Sequence, residues 1–196
     1  MRTRSILALS CALALAGCGS TPPTGINDIC SVFSQRNGMF TNWYADAKAA
    51  EAKYGIPVPV LMATMRVESG FDGDARPPRQ KVLGVIPGSR PSSAHGYSQA
   101  LSGTWEQYQR ETGQRFARRT DFGASVDFIG WYHAKTVEKY GVPRDDAYAL
   151  YLGYHSGWSG YARGVWRDRP VAQKGAARAA SMAELYRAQL TMCGLG

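Results

Sequence analysis

Apolar residues along most of this chain recur with the spacing of helices. The clearest case is 121–140. Phe122, Val126, Ile129, His133, Val137 and Tyr140 share one face at i, i+4, i+7 spacing, and Gly141-Val142-Pro143 stops the run. Pro57 and Pro59 open a second helix through Val60, Leu61, Thr64, Met65 and Glu68, since a first-turn proline sacrifices no intrahelical hydrogen bond. Residues 28–54 hold one helix or two, with Ile29, Val32, Phe33, Met39, Phe40 and Trp43 as apolar positions and Gly55 at the end. A short helix is expected over Ser102–Thr112, and further helices over 145–154 and 172–192. Residues 72–94, with Pro77, Pro78, Pro87 and Pro91, read as a long loop. No repeat is visible and no long run alternates with period two. The fold class expected is therefore all-α, in one mostly helical domain of residues 27–196.

The N-terminal pattern is different. Arg2 and Arg4 precede a short apolar run, Ile6 to Leu15, well below the roughly 18 residues that span a bilayer. Residues 1–17 read as a signal peptide. Leu15-Ala16-Gly17-Cys18 resembles a bacterial lipobox, which implies cleavage before Cys18 and acylation of that cysteine. Gly19 in place of Asp favours, by the same resemblance, the periplasmic face of the outer membrane over the inner membrane. Residues 18–26 then form the lipidated cysteine and a flexible tether without a core-forming pattern. Its nine steps from Cys18 to Asn27 reach at most roughly 30 Å.

Composition adds two constraints. The net charge is +8, and two of those charges leave with the leader. The remaining positive balance favours anionic partners, and an exported compartment points to cell-wall polymers rather than nucleic acid. Of the four cysteines, Cys11 lies in the leader and Cys18 takes lipid. Cys30 and Cys193 remain, and in an oxidising compartment they read as a disulfide. No cysteine has a Cys or His at ligand spacing, and the three histidines form no i, i+4 pair, so neither a metal nor a cofactor is expected.

Three segments carry candidate chemistry. Arg66-Val67-Glu68-Ser69-Gly70-Phe71 puts a carboxylate at the end of an apolar helix. Gly96-Tyr97-Ser98-Gln99 follows the long loop. Tyr151-Leu152-Gly153-Tyr154-His155-Ser156-Gly157 ends a later helix. In this order the segments resemble the motifs of the lysozyme-like lytic transglycosylases of the soluble-lytic-transglycosylase type: Glu-Ser, then Gly-Leu-Met-Gln, then Ala-Tyr-Asn-x-Gly. The resemblance covers about residues 56–165. It implies a lysozyme-like fold acting on peptidoglycan, with Glu68 as catalytic acid and base and Ser69, Gln99, Tyr154 and His155 at the substrate. Tyr154 is matched to the tyrosine that orients the acid. Ser89, Ser92 and Ser93 are candidates for the family's loop serine that holds an acetamido group.

The chain departs from the family pattern at Tyr97 and Ser98, at His155 where the family has asparagine, and in a longer, basic loop after Glu68. A glycosidic bond needs a protonated acid at the leaving oxygen, and most glycosidases supply a second carboxylate. Asp72 and Asp74 follow Glu68 closely, but Asp72 lies past the helix and reads as a cap or turn residue. The family instead uses the substrate's own N-acetyl group and 6-hydroxyl, giving 1,6-anhydro ends. Glu68 needs a raised pKa, which burial against Val67 and Phe71 would supply. His133 reads as a core histidine, Tyr148 and Tyr151 as core, and His95 and His155 as groove residues. Trp158, Tyr161 and Trp166 either stack on sugars or pack, and Arg115 to Arg119 reads as a solvated surface. A hydrolytic lysozyme on the same fold, or an inactive wall-binding or secretion-apparatus lipoprotein, are the alternatives. The sequence names no protein partner.

Overall fold

The computed structural model describes residues 21–82 and 84–196. The expected signal peptide and the expected lipidation site, Cys18, lie outside the described residues. Seven α-helices dominate those that are described: α1 (Ile29–Gln35), α2 (Trp43–Tyr54), α3 (Val58–Ser69), α4 (Ser102–Thr112), α5 (Phe122–Tyr140), α6 (Ala147–Ala162) and α7 (Pro170–Met192). A short 3₁₀ turn, Val165–Asp168, joins the last two. The all-α expectation holds.

The apolar pattern decides which helix sits in the middle. Every residue of α3 from Val58 to Met65 is buried, as a helix apolar all round requires. It packs against α7, α5, α2 and α6. Its buried Thr64 hydroxyl donates to Val60 O at 3.0 Å and lies 2.9 Å from His133 Nε2. His133 is fully buried, as expected of a core residue, and burial pushes its pKa down to about 3, so the ring is neutral. α5 closes the other side through Asp127, which accepts hydrogen bonds from the Tyr54 and Tyr108 hydroxyls at 2.8 Å each and from Lys53.

Residues 28–54 form two helices, each with its own cap. Asp28 accepts from the Cys30 and Ser31 amides, and Asn42 accepts from Ala45 N. Between them a hairpin pairs β1 (Asn37–Gly38) with β2 (Thr41–Asn42), leaving Met39 and Phe40 as its turn. A second hairpin, β3 (Lys81–Val82) with β4 (Ile86–Pro87), lies within the expected loop 72–94. Strands of two residues are too short to show alternation in sequence. α6 runs past its expected end at 154, with a non-helical kink at Gly157.

The two ends of the domain meet. Cys30 and Cys193 form the expected disulfide, with Cα atoms 6.4 Å apart. Around it, Gln189 Oε1 accepts from Ile29 N and Tyr186 donates to Ile26 O at 2.5 Å. The expected tether needs correction in its described part. Pro23 is buried, Thr24 N donates to Gln35 Oε1 at 2.9 Å, Gln35 Nε2 donates to Thr24 O at 2.8 Å, and the Arg36 guanidinium holds Thr21 O. Side chains of α1 supply partners for this backbone, so it lies on the domain from Thr21 onward.

Candidate active site

α3 delivers Glu68 to the surface in its last turn. Gly70 and then Phe71 both adopt left-handed backbone, at φ 62° and 65°, and turn the chain away. Phe71 is fully buried against Trp43, which holds a conformation that a bulky residue rarely adopts. Glu68 thus lies in a cleft of about 440 Å³, walled by Ser92, Ala94 and Gln99–Leu101 on one side and by Tyr154–Gly157 on the other. Thr104, Phe128 and Tyr132 complete its lining. Glu68 is the sole carboxylate among the described lining residues.

The Gly-Tyr-Ser-Gln segment is locked in place by its glycine. A Cβ at Gly96 would lie 1.9 Å from Arg119 O, so the backbone approaches here only because there is no side chain. Tyr97 fills the position of an apolar residue by packing edge-on against Trp43 and Phe122. Gln99 has φ 50°, and its amide nitrogen donates to Ala75 O and Gly96 O at 3.0 and 2.8 Å. That leaves its amide oxygen as the end available to a sugar hydroxyl or N–H.

Two tyrosines of α6 stand near Glu68, and their roles differ from expectation. Tyr154 lines the cleft, but its hydroxyl donates to Ser98 O at 2.5 Å rather than to the acid. The hydroxyl that reaches the Glu68 carboxyl belongs to Tyr151, one turn earlier on the same helix. Tyr151 is buried, as read from sequence, yet it is the acid's direct partner. The i, i+3 relation of Tyr151 and Tyr154 was the available signal. α7 makes room for it at Gly175, where a Cβ would lie 2.7 Å from the Tyr151 ring. Desolvation raises the Glu68 pKa to about 7, and the hydrogen bond from Tyr151 pulls against that rise. Burial therefore favours the protonated carboxyl that a general acid needs.

The other expected site residues divide. His155 lines the cleft, and desolvation, then Arg169, hold its pKa below the usual value. Ser69 does not line the cleft. Its hydroxyl donates to Tyr97 O at 2.8 Å, which ties the end of α3 to the second motif, so it acts as a positioning residue. Of the three loop serines, Ser92 lines the cleft, while Ser93 Oγ accepts from Ser102 N and starts α4. His95 sits behind the wall, in a backbone bridge with Ala100. Asp72 is the expected turn residue, accepting from Asp74 N at 2.8 Å. Trp158 stacks on Tyr132 at 4.5 Å, and Tyr161 stacks on Trp166. Arg119 is structural: it holds Ser93 O and Ala100 O at 2.7 and 2.9 Å, whereas Arg115 and Arg118 are exposed. Ser156, Thr104 and Phe128 had no sequence signal beyond their neighbours.

A larger hollow of about 630 Å³ lies elsewhere, lined by Asp46, Phe116, Asp121 and Asp127 among others. Two of its carboxylates are already engaged, Asp121 as the cap of α5 and Asp127 with Tyr54 and Tyr108. The pKa of its third carboxylate, Asp46, is raised by burial and then by the neighbouring Asp121. Among the described residues no group of His, Cys, Asp or Glu is arranged to hold a metal ion.

Residues 6–193 match the model of a family described as Transglycosylase SLT domain. No curated protein matches the chain.

Proposed function

This chain belongs to the transglycosylase SLT-domain family of peptidoglycan lytic transglycosylases, and on that premise we propose that Glu68 alone serves as its acid and base and that the products end in 1,6-anhydro-N-acetylmuramic acid. The supporting observation is the cleft itself, in which Glu68 is the one described carboxylate and its pKa is near 7. Protonated Glu68 gives its proton to the oxygen linking N-acetylmuramic acid to N-acetylglucosamine, and that C–O bond breaks. The acetamido group of the muramic residue stabilises the developing positive charge at C1. Its own 6-hydroxyl then bonds to C1 while Glu68 takes the hydroxyl proton, which restores the acid. A water-activating carboxylate would have to stand on the opposite face of the sugar ring, and the lining supplies none.

The roles of the neighbours follow from their partners. Tyr151 holds the Glu68 carboxyl. Tyr154 fixes the Ser98 carbonyl, and with it the wall carrying Gln99. Gln99, Ser92 and His155 are the polar groups at the cleft that offer hydrogen bonds to sugar and acetamido groups. Mass spectrometry of fragments from purified peptidoglycan tests the reading. Anhydro ends, one water lighter than reducing ends, are expected. Reducing ends alone would assign a hydrolase instead. Glu68→Gln should keep peptidoglycan binding and lose nearly all cleavage, and retention of most activity would refute the role of Glu68.

The site of action is part of the same proposal. The Leu15-Ala16-Gly17-Cys18 junction supports a lipoprotein held at the periplasmic face of the outer membrane. Cys18→Ala should leave the protein soluble or unprocessed on fractionation. A variant still firmly in the membrane would remove the anchor.

A further inference from the structure

We infer that Met39 and Phe40, the turn of the β1–β2 hairpin, enter the surface of a phospholipid bilayer as a second membrane contact beside the acylated Cys18. This rests on the lipoprotein reading above.

The first observation is a conflict between residue type and position. The register pairs Gly38 with Thr41, so Met39 and Phe40 are the two loop residues. Two-residue hairpin loops favour Asn-Gly or glycine-containing pairs, whose backbone suits the turn. Two large apolar side chains gain nothing there, and both are left almost fully exposed among the described residues. Met39 is 90 % exposed and Phe40 92 %, while Trp43, three residues on, is 4 % exposed. Their flanks, Asn37, Gly38, Thr41 and Asn42, are polar and uncharged, so no carboxylate opposes approach to an anionic surface. Places where a sequence breaks its own local rules are commonly functional.

The second observation is where the chain enters. Arg36 immediately precedes β1, and its guanidinium holds Thr21 O. Three steps separate Thr21 from Cys18, a reach of at most about 11 Å. Three steps likewise separate Arg36 from Met39. Cys18 and the apolar tip are thus each three residues of chain from one clasp, close enough for one bilayer surface to receive both. Phe116 is as exposed, but it sits between Arg115 and Arg118 with no such link to the anchor.

The third observation is stiffness. The hairpin runs directly into α2 through the Asn42 cap. Trp43 then stacks on Phe122 at 4.0 Å and packs against Phe71 and Tyr97, the residues that turn the chain away from Glu68 and open the second wall. A tip held in the headgroup layer would fix the tilt of the cleft, which a single point of attachment cannot do.

The test uses the full-length acylated protein in vesicles of phosphatidylethanolamine and phosphatidylglycerol. Photoreactive p-benzoylphenylalanine replaces Phe40, or replaces Val171, which is also well exposed. After irradiation, intact mass reads both acylation and lipid adducts. At least tenfold more phospholipid adduct is expected at position 40 than at 171. Acylated protein without lipid adduct at 40, or with adducts to a second copy of the chain instead, overturns the inference and leaves the anchor standing. An unmodified Cys18 overturns both.

Discussion

Glu68→Gln should change stability as well as activity, with a pH dependence fixed by the site. In the folded protein the Glu68 pKa is about 7, against 4.5 as its ordinary value. Below pH 4.5 the carboxyl is neutral in both states, and its burial carries no charge penalty. Between the two values the folded state holds a proton that the unfolded state has released, so stability falls as pH rises. Above pH 7 the loss is complete. A shift of this size corresponds to about 3 kcal/mol at 1.36 kcal/mol per pKa unit. The amide never ionises, so the variant lacks this slope. Urea unfolding of both proteins, disulfide intact, at intervals from pH 4 to pH 8 measures the difference. The variant should gain steadily on the wild type, by about 3 kcal/mol across that range. For a domain of this size that is of the order of 6–12 °C in melting temperature. A difference that stays constant with pH would mean that Glu68 is not desolvated in the folded protein, and the argument for its proton would fall.

Three further outcomes are expected. Tyr151→Phe removes the hydrogen bond that lowers the Glu68 pKa, so the alkaline limb of the kcat/KM profile should move to higher pH; an unmoved limb would remove Tyr151 as the acid's partner. Gly175→Ala forces a methyl against the Tyr151 ring and should cost about 1–3 kcal/mol in unfolding experiments, with a fall in kcat. Reduction of Cys30–Cys193, which closes 163 residues of chain, should lower stability by up to roughly 5 kcal/mol, read by calorimetry alongside thiol titration.

The helices were legible because burial of one face imposes a period on sequence, and α5 shows it best. α3 was legible for a different reason: with Val58 to Met65 apolar except for Thr64, it belonged in the centre. Hairpins of two-residue strands leave no such trace, which is why β1–β2 and β3–β4 were missed. At the site, the motifs located Glu68, Gln99, Tyr154 and His155 around one cleft. They misassigned the hydroxyl on the acid, because which of two tyrosines on one helix face reaches Glu68 depends on α7, more than a hundred residues from Glu68. The same holds for Ser69, whose hydroxyl was free to face the sugar until the fold placed Tyr97 O beside it. Thr24 read as linker because its partner is the Gln35 side chain of α1 rather than an apolar pattern of its own.

The packing of Tyr151 against Gly175 has a consequence for timing. The group that tunes the acid is seated by α7, the last helix synthesised, and α7 is latched to α1 through Cys193. A nascent chain not yet extended to α7 already has Glu68, Gln99 and Tyr154, but it lacks the surface that packs against Tyr151. Competence to cut the wall is therefore acquired late, when the whole domain has closed.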